Sequence, residues 1–127
     1  MACGSQPAAT SPAAGADNAA VRSAFERHSG AVEVTAAGIV ERVLSDQEGP
    51  SGTHERFIVR LSGVDLTVLI EHNVTIAPRV PVHVGGPVVV RGEYIWNSEG
   101  GLVHFTHHDP DRSHEGGYVL YAGTRYE

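Results

Sequence analysis

The chain contains no lysine; all nine of its basic residues are arginine. A Schiff-base mechanism is therefore excluded, since it needs a lysine amine. Only one cysteine is present, Cys3, so there is no internal disulfide and no CxxC pair to hold zinc. Aromatic residues make up 6% of the sequence, too few for a surface on which nucleic-acid bases stack. A formal net charge of -6 also opposes binding to a phosphate backbone, which calls for a basic face. No run of apolar residues approaches the roughly 20 needed to span a bilayer. The G-x-S-x-G elbow, HExxH, HxHxDH and the P-loop are all missing. Gly85-Gly86 and Gly100-Gly101 serve turns, because neither pair opens a helix.

What the chain does have is histidine. There are eight, and three of them (His107, His108 and His114) fall within "FTHHDPDRSH", with His104 just ahead. At 127 residues the chain is large enough for one core. Residues 1–16 carry the Pro/Ala/Ser/Thr/Gly composition of a tether, and residues 17–127 form a single domain. Cys3 follows a small residue and precedes Gly4-Ser5 and this tract, which resembles the start of a mature bacterial lipoprotein. The expectation is lipidation at Cys3, on a chain whose upstream hydrophobic segment has been removed. If Met1 is the true start, the protein is cytoplasmic and Cys3 incidental.

Asp17 offers a helix N-cap, and Val21 and Phe25 share one apolar stripe, so a short helix begins the domain. Gly30 is its expected stop. From Ala31 the period changes to that of strands. "AVEVTAAGIVERVL" alternates, with Gly38 as a candidate bulge. "SDQEGPSG" has the composition of a loop. "HERFIVRLS" turns the side chains of Phe57, Val59 and Leu61 one way, and "LTVLIEH" does so with Leu66, Val68 and Ile70. "NVTIAPRVPVHVGG" is an irregular crossing segment. "PVVVRGEYIW" and "LVHFTHH" are strands joined by the turn "NSEGG", and a hairpin around Ala122-Gly123 ends the chain. This pattern predicts a mainly β fold: a five-stranded oligonucleotide/oligosaccharide-binding (OB)-like barrel with a short N-terminal helix and a C-terminal β-hairpin.

In such a barrel the second and third strands form an antiparallel hairpin, which sets His54 and Glu55 beside His72 and Asn73. The fifth strand runs parallel to the third and is expected to end at the same rim with His107, His108 and Asp109. Imidazoles and carboxylates are the preferred ligands of zinc-type divalent metals. On this reasoning His72, His108 and Asp109 are the candidate metal ligands, and His54, Arg56, His72, Asn73, Trp96, His107, His108, Asp109 and His114 the candidate ligand-binding rim. Strand alternation keeps His107 and His108 off a shared face. His104, on the parity of His108, lies deeper and is expected to be hydrogen-bonded. Histidines at strand ends also serve as structural caps, and no compact motif separates the two roles. An HNH-like nuclease finger at "HHDP" would need a helix where "DRSHEGGYVLY" supplies glycines and strand formers.

The pieces "HERFIVRLSG", "EHNVTIAPRVPV", "RGEYIWN", "GGLVHFTHHDP" and "HEGGY", in this order and spacing, strongly resemble a bacterial domain-of-unknown-function family, number three-four-six-five. The resemblance covers roughly Asp17 to Glu127. Matching positions include His54, Arg56, His72, Asn73, Trp96, His104, His107, His108, Asp109, Pro110 and His114. Phe105 and Tyr118 stand where the family usually shows Trp, and Gly86 replaces an acidic residue. The resemblance implies a small secreted or lipid-anchored protein and brings no reaction, substrate or cofactor.

Three functions are compatible with these observations. The first is an envelope-anchored binding module on the periplasmic side, whose His-rich rim takes a small ligand, a peptide or a wall-derived glycan. Another is a metal-dependent hydrolase using the same histidines, with a divalent metal such as zinc as cofactor. The last is a structural accessory subunit of an envelope complex. No recognisable catalytic set favours an enzyme.

Overall fold

The computed structural model describes residues 15–127. The elements are α1 (Asn18–Glu26), β1 (Val32–Gly49), β2 (Gly52–Leu61), β3 (Thr67–Asn73), β4 (Pro87–Ile95), β5 (Leu102–His104), β6 (Tyr118–Tyr121) and β7 (Thr124–Tyr126). The protein is mainly β, with one short helix among the described residues. Cys3 and most of the expected tether lie outside them.

Five strands close into a ring of the OB-like kind. β1 pairs antiparallel with β2, β2 with β3, and β3 parallel with β5; β5 pairs antiparallel with β4, which returns to β1. Closure depends on the length of β1, whose residues 32–39 pair with β4 and residues 38–49 with β2. Gly38 sits where both edges are engaged, opposite Leu61 on one side and Val88 on the other. A Cβ there would overlap the Arg60 carbonyl oxygen. The glycine expected to mark a bulge therefore marks a close strand approach instead. The register shifts fall later, between Val40 and Arg42 and between Leu44 and Gln47.

Alternation builds the interior. Val34, Ala36 and Val40 of β1, Phe57, Val59 and Leu61 of β2, and Val68 and Ile70 of β3 meet Val88, Val90 and Tyr94 of β4. Val80 and Val82 enter this core from the crossing segment, 74–86. Burial pushes the Tyr94 hydroxyl up to about 12; it donates to the Gly100 carbonyl at 2.8 Å and so remains satisfied.

Two expected boundaries are corrected. Residues 45–52 are not an open loop, since β1 and β2 continue as a two-stranded ribbon with Gly49 opposite Gly52 and only Pro50-Ser51 turning between them. That ribbon buries almost nothing along β1, so its composition carries no strand pattern. The helix stops at His28 rather than Gly30. His28 adopts φ 54°, and the Ser29 and His28 amides donate to the carbonyls of Ala24 and Phe25, a Schellman stop made without glycine. Stacking of the His28 ring on Trp96, with centroids 4.1 Å apart, offsets the strain of that φ.

α1 covers the barrel end where β3 begins. Asp17 caps it by accepting from the Ala20 amide, and Val21 and Ala24 enter the core. The Asn18 amide ties the helix to Ala37 and Ser62. β6 continues along β4 where β5 leaves off, and the Ala122-Gly123 turn to β7 has positive φ at both residues, as a two-residue hairpin requires.

Gly38→Ala is expected to destabilise the protein by about 1–3 kcal/mol, through overpacking at the doubly paired position. The urea midpoint should fall with the slope unchanged; an unaltered midpoint would show that β1 is not pinned there.

Candidate functional site

The end of the barrel opposite α1 is formed where β2 begins and β3 ends, with His54 facing Asn73 and Glu55 facing His72 across the pair. Because β5 runs parallel to β3, the chain leaving β5 arrives beside His72. β5 itself ends at His104, short of the expected His107-His108-Asp109. Phe105 turns left-handed, with φ 55°, and residues 105–117 loop outwards before β6 resumes pairing at Tyr118. The Gly117 amide donates to the His107 carbonyl at 2.9 Å and closes the base of this loop.

His72 is fully buried and uses both ring nitrogens. Nδ1 lies 2.8 Å from the Thr106 hydroxyl and Nε2 3.0 Å from the Pro78 carbonyl. A carbonyl only accepts, so Nε2 carries the proton and Nδ1 accepts from Thr106. Burial, the main cause, lowers its affinity for a second proton. The result is a neutral imidazole joining β3 to the crossing segment and to the loop. It has no free lone pair for a metal.

At this end of the barrel, bordered by Asn73 and His107, lies a cleft of about 320 Å³. Ser51 and His54 line it from the ribbon, Asn73 and Ile76 from the turn after β3, and His104, Phe105, His107, Asp109 and His114 from the loop side. Asn73 is occupied structurally, donating to the Ser51 carbonyl and accepting from the Thr75 amide. Asp109 shapes the loop, accepting from the Asp111 and His114 amides. Burial works to raise its carboxyl, but these amides outweigh it and hold the group below its usual range. His107 is 3% exposed, and its Nδ1 lies 2.6 Å from the His108 carbonyl. Burial lowers its pKa as well.

The loop is held by a stack of three rings. Phe105 stacks on His104, with centroids 4.0 Å apart, and on His114, with centroids 3.8 Å apart, the ring planes of both pairs nearly parallel. His104 Nε2 is 2.8 Å from Glu93 Oε1. Behind it Glu33 faces Glu93 across β1 and β4. Arg91 bridges this acidic group by donating to Thr35 and Glu115 and standing 3.8 Å from Glu33. Burial and then the neighbouring Glu115 carboxylate raise the Glu33 pKa. Burial also raises that of Glu55, against the Val80 amide that donates to it.

Five of the sequence-predicted rim residues thus surround one cleft: His54, Asn73, His107, Asp109 and His114. The other four stand elsewhere. His72 is buried and does not line the cleft. Arg56 donates to the Ser45 carbonyl on the ribbon. Trp96 packs with Phe25 and His28 at the opposite end of the barrel. His108 is exposed, with its Nδ1 3.2 Å from the Glu127 carbonyl. The trio His72, His108 and Asp109 is accordingly not assembled, and among the described residues no three His, Cys, Asp or Glu side chains form a ready metal cage. Sequence reasoning missed the His104–Phe105–His114 stack, which depends on a loop conformation that no periodicity announces.

Comparison with known families matches residues 5–127 to one described as Protein of unknown function (DUF3465). No curated protein and no solved structure matches the chain.

His72→Phe keeps the ring but leaves the Pro78 carbonyl and Thr106 hydroxyl unpaired, with an expected loss of about 2–4 kcal/mol in urea unfolding. The pH dependence has a definite sign. His72 and His107 bind a proton less readily folded than unfolded, so their contribution is complete above about pH 6.5 and lost as pH falls below it. Stability of the wild type should therefore drop more steeply from pH 7.5 to 5.5 than that of His72→Phe. Equal slopes would contradict the buried neutral imidazole.

Proposed function

Starting from a chain that belongs to the DUF3465 family of proteins of unknown function, we propose that it is an envelope-anchored binding module whose recognition site is the cleft of His54, His107 and His114. The observation that carries this reading is the lining itself, which has imidazoles, hydroxyls and carboxylates but neither lysine nor arginine. Such a surface offers acceptors and favours a small ligand that donates hydrogen bonds and carries no negative charge. A wall-derived sugar fits that description. The anchor rests on the sequence around Cys3. Among the described residues no helix is long and apolar enough to cross a membrane, and a lipid at Cys3 would hold the domain at a surface without spanning it.

Two measurements test the proposal. Full-length protein extracted from bacterial membranes should carry a lipid mass that disappears in Cys3→Ser; unmodified protein in the soluble fraction would overturn the anchoring. In ring-proton NMR, N-acetylglucosamine should shift the His54, His107 and His114 signals saturably while leaving His28 unchanged. His107→Gln should weaken that binding by up to about tenfold, the worth of one hydrogen bond. Preferential binding of acetate or inorganic phosphate at the same rings would reject the assigned ligand chemistry.

A further inference from the structure

The outer side of a small barrel is ordinarily polar, because alternate side chains of each strand point to water. Here it carries an apolar row at one level. Ile58 faces Leu69 across β2 and β3, Leu69 faces Leu102 across β3 and β5, and Leu102 faces Ile95 across β5 and β4. Their neighbours along the strands, Phe57, Ile70, Val103 and Tyr94, are fully buried in the core. Alternation therefore turns all four aliphatic side chains outwards, where they are only partly buried. Among the described residues no helix or further strand packs across the outside of β2, β3 and β5. Two residues towards the cleft, the same four strands carry Arg56, Glu71, His104 and Glu93 on that face. Arg56 and Glu71 stand opposite each other, yet neither forms an ion pair within the chain among the described residues. Arg56 Nε donates instead to the Ser45 carbonyl.

We propose that this face is where two copies of the chain dimerise, about a two-fold axis that runs along β3 and β5 and lies between them. A symmetric contact must complement itself, each position meeting another position of the same surface. That axis lays Ile58 on Ile95 of the second copy, and Leu69 on its Leu102. At the charged level it lays Arg56 on Glu93 of the second copy, and Glu71 on its His104. Each basic group thereby meets an acidic one. A two-fold axis across the strands would instead set Arg56 against Arg60, which lies on the α1 side of Ile58, and like charges would oppose each other. The barrel surface is convex, so contact is closest at Leu69 and Leu102, beside the axis. The long side chains of Arg56 and Glu93 span the wider gap at the flanks. This axis also brings both α1 helices to one end of the dimer and both clefts to the other. The arrangement suits two chains held at one surface through Cys3, with the clefts facing away from it, and it does not depend on what the clefts bind.

Sedimentation velocity of the full chain carrying Cys3→Ser, which removes any disulfide or lipid link between copies, tests the face. The mass should rise with concentration from 13.5 kDa towards twice that value. A Kd of roughly 1–100 µM is expected for a contact of this small size. Leu69→Glu places two carboxylates beside the axis and should leave a monomer over the same range. Arg56→Glu and Glu93→Arg should each raise Kd roughly tenfold, since each change counts twice in a symmetric dimer. Combining them should return Kd to within about threefold of its starting value, which local damage to the fold would not do. Should Leu69→Glu misfold by circular dichroism, this charge exchange decides the matter alone. A chain still monomeric at roughly 1 mM, an oligomer larger than a dimer, a dimer that folded Leu69→Glu leaves intact, or a double variant no tighter than the single ones overturns the proposal.

Discussion

His72 ties the end of β3 to the crossing segment and to the chain just beyond β5. It stands at the end of β3, receives a hydrogen bond from Thr106 beyond β5, and donates one to Pro78 in the crossing segment. Neither of those segments is a strand at that point, so neither gains a ladder of backbone hydrogen bonds. A buried imidazole with both nitrogens satisfied supplies the missing link. The neutral ring is favoured because a second proton would place a charge in the core, although the Thr106 hydroxyl could turn to accept it. The width of the cleft beside it follows from this link, since the turn after β3 forms one wall and the 105–117 loop the other.

The two ends of the barrel use their histidines in opposite ways. At the α1 end, His28 and Trp96 stack as part of a packed lid over the start of β3. At the other end, the imidazoles stand among carboxylates: His104 on Glu93, His114 near Asp109, and the Glu33, Arg91 and Glu115 group behind. In a chain without lysine, the basic nitrogens that line the cleft are imidazoles. The cleft lining carries no lysine or arginine, in keeping with the net negative charge of the whole chain.

Much of the architecture was legible because strand alternation and pairing are local properties. The β2–β3 hairpin and the Ala122-Gly123 turn followed from side-chain parity and turn chemistry, and the parallel approach of β5 to β3 from the expected OB-like topology. Meeting of His54 and Asn73 at one rim followed from the hairpin alone. Three things were hidden. The polar β1–β2 ribbon buries too little for its composition to distinguish it from a loop. The end of β5 depends on Phe105 entering the left-handed region opposite Gly92, where β4 comes too close for a side chain. The different placements of His72, His107 and His108 depend on which backbone or hydroxyl partner each ring nitrogen meets. Parity along an imagined strand assigned His72 and His108 to the open site, and the loop gave that place to His107 and His114.

The His72 link and the cleft beside it depend on the proton positions of two rings, and long-range nitrogen–proton NMR of the imidazoles observes them directly. At pH 7.5, His72 should be the Nε2–H tautomer and His107 the Nδ1–H tautomer, each as a single unexchanging form. Finding His72 protonated at Nδ1, or both rings averaging freely between tautomers, would mean that the link through Thr106 and Pro78 does not exist and that the cleft it frames is not a built site.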